Sequence, residues 1–341
     1  MHNLEALKQK LVEPTEIVIV SHYKPDADAL GSSLGLAKYL QKNGHTVTVI
    51  MPSDYPENIA WMPGNEMVIN FEANEISQTK SKESIAKAKL IFCLDFSALG
   101  RIQQMENIIK NATAEKVMID HHINPESFAN YIYHDTKAAS TCEMIYQLID
   151  MLGDIHQMDT DIGQCLYAGI MTDTGSFRHP STTPLSHAIA GELIKLGVNT
   201  NAIHRQTFDN STENRLRLIG YVVSEKMVIL PEYKVAYFTI TAEELKKYNS
   251  QTGDTEGIAN QGLSINGIVL SVLMVERPDG IKMSFRSVEE FAANEVATKY
   301  FNGGGHKNAA GGKMTTGGLE GTLKKLLKIL PEYKEQLLGI A

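Results

Sequence analysis

Residues 16–35 read EIVIVSHYKPDADALGSSLG. The first six, Glu16 to Ser21, form a nearly unbroken β-branched run, the composition of a strand buried on both faces. From Ala29 onward, ALGSSLGLAKYLQKNG has the apolar spacing of a helix. Between the two lie His22, Asp26 and Asp28, a histidine and two aspartates at the end of a buried strand. A strand that turns directly into a helix begins a parallel α/β arrangement, in which ligands sit beyond the carboxyl ends of the strands.

The neighbouring sequence repeats the pattern. The strand-like runs TVTVIM, KLIFCLD and EKVMID alternate with helical stretches such as STCEMIYQLIDMLG. This predicts a doubly wound, mainly parallel sheet in an N-terminal domain over residues 1–185. Residues 161–220 read as helical, and 186–221 are expected to form a helical connector. From residue 222 the texture becomes mainly β, in YVVSEKMVIL, YKVAYFTIT, SINGIVLSVLMVE and GIKMSFRS, and ends in a Gly-rich tail, NGGGHKNAAGG. A smaller α/β domain over 222–341 is the expectation.

Composition narrows the classes of function. At 341 residues and 43% hydrophobic content, the chain can bury two cores of ordinary size. It has no run of the roughly 18–20 apolar residues that a membrane span requires, and MHNLEALKQKLVEPTE lacks the apolar centre of a signal peptide. The cytoplasm is therefore the expected compartment. Cys93, Cys142 and Cys165 stand singly in apolar segments, so neither a disulfide framework nor a CxxC pair is available. The net charge of -8 opposes coating of long nucleic acid, which needs clustered cations. Residues 1–220 hold 18 Lys and Arg against 26 Asp and Glu, whereas 221–341 hold 14 of each, so the acid excess belongs to the first two thirds.

That excess recurs at the ends of elements: His22, Asp26 and Asp28 after the first strand, Asp95 closing IFCLD, Asp120, His121 and His122 closing VMIDHH, and Asp173 in GIMTDTGSF. Carboxylates and imidazoles converging on one sheet edge repel unless something positive binds among them. Divalent cations answer that need. Oxygen donors with one or two imidazoles and no thiolate suit Mn²⁺ or Mg²⁺, with Zn²⁺ and Fe²⁺ also open. Taken singly, DADALG also reads as an Asx-rich turn capping the next helix, and DHH as a structural histidine pair. An EF-hand loop fails, because the fifth and twelfth positions from Asp26 are Leu30 and Ala37.

HYKPDADALGS, LDFSALGR, DHH and GIMTDTGSFR together resemble the motifs of the DHH phosphoesterases, and FNGGGHKNAAGG resembles the signature of their DHHA1 domain. TEGIANQGLSINGI is similar to the nanoRNase/pAp phosphatase branch of that family. The resemblance implies two divalent ions, Mn²⁺ first and Mg²⁺ second. His22, Asp26 and Asp95 would hold one ion; Asp28, Asp95, His121 and Asp173 would hold the other, with Asp95 bridging. Asp120 would orient the site from behind, and His122 would contact the scissile phosphate as a charge-stabilising or proton-donating group. The reaction implied is attack of an activated hydroxide on phosphorus.

In the second domain, Arg286 and Ser287 close KMSFRS, while Gly303, Gly304, Gly305 and His306 form GGGH, read here as a Gly-rich turn entering a helix. Exposed backbone N–H groups and an arginine fork suit a phosphate or terminal base. Arg101 and Arg178 are further candidates for meeting substrate phosphate. Neither GxxxxGK[ST] nor a GxGxxG context is present, which removes support for triphosphate hydrolysis and dinucleotide redox chemistry. Two phosphate sites imply a short substrate: a few nucleotides of RNA, or 3′-phosphoadenosine 5′-phosphate cleaved to AMP. Linear and cyclic dinucleotides are the alternative substrates. A single-strand exonuclease would need a basic groove with stacking aromatics, and a non-catalytic nucleotide sensor would lack a metal ligand. No long duplex and no membrane partner is expected, and a homodimer is left open.

Overall fold

The computed structural model describes residues 3–339. Two compact units divide the chain, Met1–Asn210 and Ser211–Ala341. In the first, six strands, β1 (Glu16–Val20), β2 (Thr46–Met51), β3 (Ile69–Asn70), β4 (Leu90–Leu94), β5 (Glu115–Asp120) and β6 (Tyr131–His134), form one sheet in the order β3-β2-β1-β4-β5-β6. Every pairing is parallel.

The unbroken apolar run of β1 has a direct physical reason. Ile17 and Ile19 enter one core cluster, Val18 and Val20 the other, so neither face meets water. Each such side chain contributes about 1.5–3 kcal/mol on burial. The helix Ala27–Lys42 packs against the helix Thr160–Asp173 at a distance only glycine permits. A Cβ on Gly31 would lie 2.4 Å from the Cys165 carbonyl oxygen, and one on Gly35 2.8 Å from a Leu166 methyl. Cys93, Cys142 and Cys165 are buried free thiols.

The second unit carries β7 (Met227–Leu230), β8 (Val235–Ile240), β9 (Leu270–Arg277), β10 (Gly280–Ser287), β11 (Gly304–His306) and β12 (Ala309–Met314), in the order β11-β12-β10-β9-β8-β7. β8 and β9 run parallel, and the other neighbours are antiparallel. Residues 186–221, expected as a connector, lie mainly in the helices Pro184–Lys195, Thr200–Phe208 and Glu213–Tyr221; the boundary after Asn210 separates the third from the first two.

Two expectations for the second unit need correction. YVVSEKMVIL is a strand only from Met227, because Val222–Lys226 is a wide helical turn that continues the preceding helix. GGGH does not turn into a helix: Gly304–His306 is one arm of the β11–β12 hairpin. The glycines there allow strands to approach. A Cβ on Gly303 would sit 2.0 Å from the Gly311 carbonyl oxygen, and Gly305 has φ 137° with the Ala309 carbonyl oxygen 2.6 Å from where its Cβ would be.

Candidate metal centre

The strand order places a switch point between β1 and β4, from which the chain winds outward in both directions. His22 follows β1, Asp95 follows β4 and His121 follows β5, so three donors leave adjacent carboxyl ends. Asp28 stands in the first turn of the helix Ala27–Lys42, and Asp173 is the last residue of the helix Thr160–Asp173. The fold thus brings together two donor groups, His22 with Asp26 and Asp95, and Asp28 with His121 and Asp173, the donor atoms within each lying within 4.8 Å of one another.

Asp95 belongs to both surroundings. Its Oδ2 lies 3.3 Å from His22 Nε2, and its Oδ1 lies 3.5 Å from His121 Nε2. The remaining separations are 3.8 Å for His22 Nε2 to Asp26 Oδ2, 3.8 Å for His121 Nε2 to Asp28 Oδ2, and 3.4 Å for His121 Nε2 to Asp173 Oδ2. Asp95 adopts φ 63°, a left-handed conformation that Asp tolerates better than most residues and that turns its carboxylate between the two groups.

Five of the six donors are held by hydrogen bonds with the surrounding chain. His22 Nδ1–H donates to the Tyr23 carbonyl at 3.0 Å, and His121 Nδ1–H to the Ala138 carbonyl at 3.2 Å, which fixes both tautomers and aims Nε2 at the carboxylates. Asp28 is fully buried and accepts the backbone N–H groups of Thr141 at 2.7 Å and Cys142 at 2.8 Å. The Thr141 hydroxyl donates to Asp95 Oδ1 at 2.9 Å. Asp26 does two jobs that the sequence posed as alternatives. Its Oδ1 caps the helix by accepting from Asp28 and Ala29 N–H, each at 3.0 Å, while its Oδ2 faces His22. Past Asp173 the chain turns through three consecutive left-handed residues, Gly175, Ser176 and Phe177.

The electrostatics follow from crowding. Burial opposes a charged His22, yet the hydrogen bond to Asp95 and the charge of Asp26 prevail and lift its pKa to about 9. His121 is likewise buried and is lifted to about 11, with Asp95 and Asp173 beside it. Burial, then the charge of Asp95, raises Asp28 to about 7. Burial and Asp28 hold Asp173 well above the usual carboxylate range, whereas hydrogen bonds to His121 and His22 overcome burial and keep Asp95 well below it. Positive charge has to sit among these carboxylates, as protons or as cations. Imidazole Nε2 atoms whose opposite nitrogens are committed to carbonyls, facing aspartate oxygens with no thiolate among them, fit divalent cations.

His122 stands beside these donors, its Nδ1 3.7 Å from Asp95 Oδ1, and is gripped twice by the fully buried Asp120. Asp120 Oδ1 accepts from His122 Nδ1–H at 2.8 Å, and Oδ2 accepts the His122 backbone N–H at 3.1 Å. Nδ1 of His122 is thereby committed to Asp120. His134, which carries no signal in the sequence, donates from Nε2 to the His122 carbonyl at 2.6 Å. Arg101 is exposed, and its charge opposes protonation of His22. Its carbonyl accepts the Tyr23 N–H at 2.8 Å, tying its turn to the His22 loop.

In the second unit, Arg286, Ala309 and His306 are paired across β10, β12 and β11, so they share one face of the sheet. Arg286 Nη1 donates to the Phe285 carbonyl at 2.9 Å, and burial lowers its pKa. Ser287 is buried and already committed: its hydroxyl donates to the Phe291 carbonyl at 2.6 Å and accepts from Asn308 at 3.0 Å. Gly304 and His306 are exposed.

Sequence reasoning missed Thr141, Ala138 and His134. A Ser-Thr pair opening an amphipathic helix is an ordinary capping signal, and only its position shortly after DHH could have marked it. None of the helices in the described residues is long and apolar enough to cross a membrane.

Comparison with known proteins follows the same division. A model described as the DHH family, N-terminal domain, matches residues 16–170, and one for the DHHA1 domain matches 232–336. The chain is 30% identical over 300 residues to the bifunctional oligoribonuclease and PAP phosphatase NrnA of Bacillus subtilis, covering 86% of this chain and 88% of that protein. It is 25% identical over 340 residues to the cyclic-di-AMP phosphodiesterase PdeA of Listeria monocytogenes, which spans 96% of this chain but only 49% of that protein. The crystal structure of an exopolyphosphatase-related protein from Bacteroides fragilis superposes with a TM-score of 0.92 at 37% identity, covering 98% of this chain and 97% of that one.

Proposed function

This chain belongs to the DHH family of phosphoesterases, with a DHHA1 domain following in the sequence, and from that membership we propose that it hydrolyses short RNA oligonucleotides and 3′-phosphoadenosine 5′-phosphate, the latter to AMP. The observation that carries the reading is Asp95, whose two oxygens face two separate donor groups. It supports a pair of ions, most economically Mn²⁺ with Mg²⁺ as second choice. His22, Asp26 and Asp95 would hold one, and Asp28, Asp95, His121 and Asp173 the other. When bound, such a pair would supply Lewis acidity, polarising the phosphate and lowering the pKa of water so that it gives up a proton and hydroxide is available to attack phosphorus.

The chain's own groups do the rest. Asp120 accepts from Nδ1–H of His122 and so presents Nε2 to the substrate, where it stabilises charge on the phosphate or protonates the leaving oxygen. Arg101, exposed beside the His22 loop, grips a phosphate oxygen. Arg286 and His306, two strands apart on one face and hence roughly 10 Å from each other, hold a second phosphate or a terminal base, with the Gly303–Gly305 backbone beside them. Ser287 braces the loop after Arg286. A soluble, cytoplasmic enzyme accords with three free buried thiols.

Similarity to PdeA favours a second reading, in which linear or cyclic dinucleotides are the substrate. Side-by-side turnover with Mn²⁺ separates the two. The bisphosphate and 5′-phosphorylated di- and trinucleotides are expected to exceed both cyclic dinucleotides and a long single-stranded RNA in kcat/KM. A cyclic dinucleotide ahead of the others transfers the assignment to the second reading, and preference for the long strand overturns both.

A further inference from the structure

The geometry points to Thr141 as the residue that positions the two aspartates on which the metal centre turns. Thr141 is fully buried in the first turn of the helix Thr141–Leu152. Its hydroxyl donates to Asp95 Oδ1 at 2.9 Å, and its backbone N–H donates to Asp28 Oδ2 at 2.7 Å. One residue thus reaches a carboxylate that faces both donor groups and a second that belongs to one of them. This inference rests on the metal reading above.

The side chain is needed there because of how Asp95 is held. Asp95 stands just past β4 in a left-handed conformation; its backbone N–H donates to the Ile119 carbonyl of β5 at 3.0 Å, a bond that holds the main chain but leaves the side-chain torsions free, and both carboxylate oxygens face imidazole nitrogens. Rotation about Cα–Cβ and Cβ–Cγ would carry Oδ1 away from the His121 side. The hydroxyl hydrogen bond opposes that rotation, and a carboxylate oxygen retains a further lone pair for a cation. The helix around Thr141 is itself anchored. Ser140 caps it by accepting the Glu143 N–H at 3.0 Å, so the hydroxyl of Thr141 is not required for capping and is available to Asp95. The adjoining Ala138 carbonyl holds His121. The segment 138–142 therefore acts as a bracket behind three of the donors, with the Thr141 hydroxyl as its one side-chain contact to Asp95.

The test uses the full chain, stripped of metal, with Mn²⁺ alone as the probe. Thr141→Val keeps the side-chain shape and every backbone N–H but removes the hydroxyl; Thr141→Ser keeps the hydroxyl and removes the methyl. Calorimetric titration is expected to show the weaker of the Mn²⁺ affinities reduced about 10- to 100-fold in Thr141→Val and restored to within about threefold in Thr141→Ser. Melting of the metal-free proteins checks the fold, and Thr141→Ala replaces the valine variant should that one not fold. Unchanged Mn²⁺ affinity in Thr141→Val beside a wild type that binds overturns this inference alone. So does a serine variant as weak as the valine one, since the methyl would then be what matters. A wild type that takes up no Mn²⁺ overturns the metal reading and this inference with it.

Discussion

The two candidate sites are built in opposite ways. In the first unit, His22, Asp28 and Asp95 are buried and individually braced, His22 by a carbonyl, Asp28 by two N–H groups and Asp95 by a hydroxyl, and His122 beside them is held by both oxygens of Asp120. In the second, His306 and Gly304 are exposed, Arg286 donates to its neighbour's carbonyl, and glycines let strands approach. The first arrangement fixes atoms before a ligand arrives, as chemistry on phosphorus demands. On the proposed function, the second would recognise the far end of the substrate. Mutations in the first unit should therefore cost metal and rate together, and those in the second should cost binding alone.

The largest effect should come from Asp95. Asparagine tolerates the left-handed backbone, so Asp95→Asn removes charge while keeping shape. We expect kcat to fall by at least about a thousandfold with loss of bound Mn²⁺ measured by elemental analysis, and Asp28→Asn to lose less of the metal. Full metal content in Asp95→Asn would break the contrast, because the braced site would then not depend on its shared carboxylate.

Next comes Arg286→Ala. Losing a desolvated charged hydrogen bond costs on the order of 2–3 kcal/mol, so kcat/KM for a 5′-phosphorylated dinucleotide should drop roughly 30- to 150-fold at unchanged metal content. An aryl phosphodiester, which lacks a second phosphate, should lose far less. Equal losses on both substrates would move Arg286 out of recognition and into folding or the metal centre.

The smallest effect separates packing from recognition within one glycine run. Gly303→Ala should lower stability by about 1–3 kcal/mol in chemical denaturation, since its Cβ would meet backbone at 2.0 Å. Gly304→Ala, whose Cβ would have Thr298 Oγ1 at 3.9 Å as its nearest neighbour, should be neutral in stability and can only report on ligand binding. Equal destabilisation by both substitutions would mean that the hairpin, rather than single close contacts, sets the requirement for glycine.

The same contrast explains what could be read from the amino acids alone. β1, β4 and β5 announce themselves because burial on both faces demands continuous apolar runs, and their acid or histidine ends follow in sequence. The donors in His22, Asp26 and Asp28 lie within seven residues, so local spacing carries the information. β3 is two residues long and β6 reads YIYH, too short and too polar for periodicity to register. AAGGKM has no β-branched residue; it is a strand because β10 and β11 pair with it on either side. Thr141 and Asp95 are 46 positions apart, and no local pattern records a hydrogen bond of that span.

Gly169 shows what such packing does to the history open to this scaffold. A methyl group there would meet Cys142 Sγ at 2.3 Å and Asp28 Oδ1 at 2.8 Å, so the helix that ends in Asp173 cannot be pushed away from Asp28 without breaking the core. Descendants of this sequence can alter ion preference by exchanging donors, one carboxylate or imidazole at a time. Adding a methyl group at Gly169 while Cys142 and Asp28 keep their places is not among the routes open to them; it needs a second, compensating change.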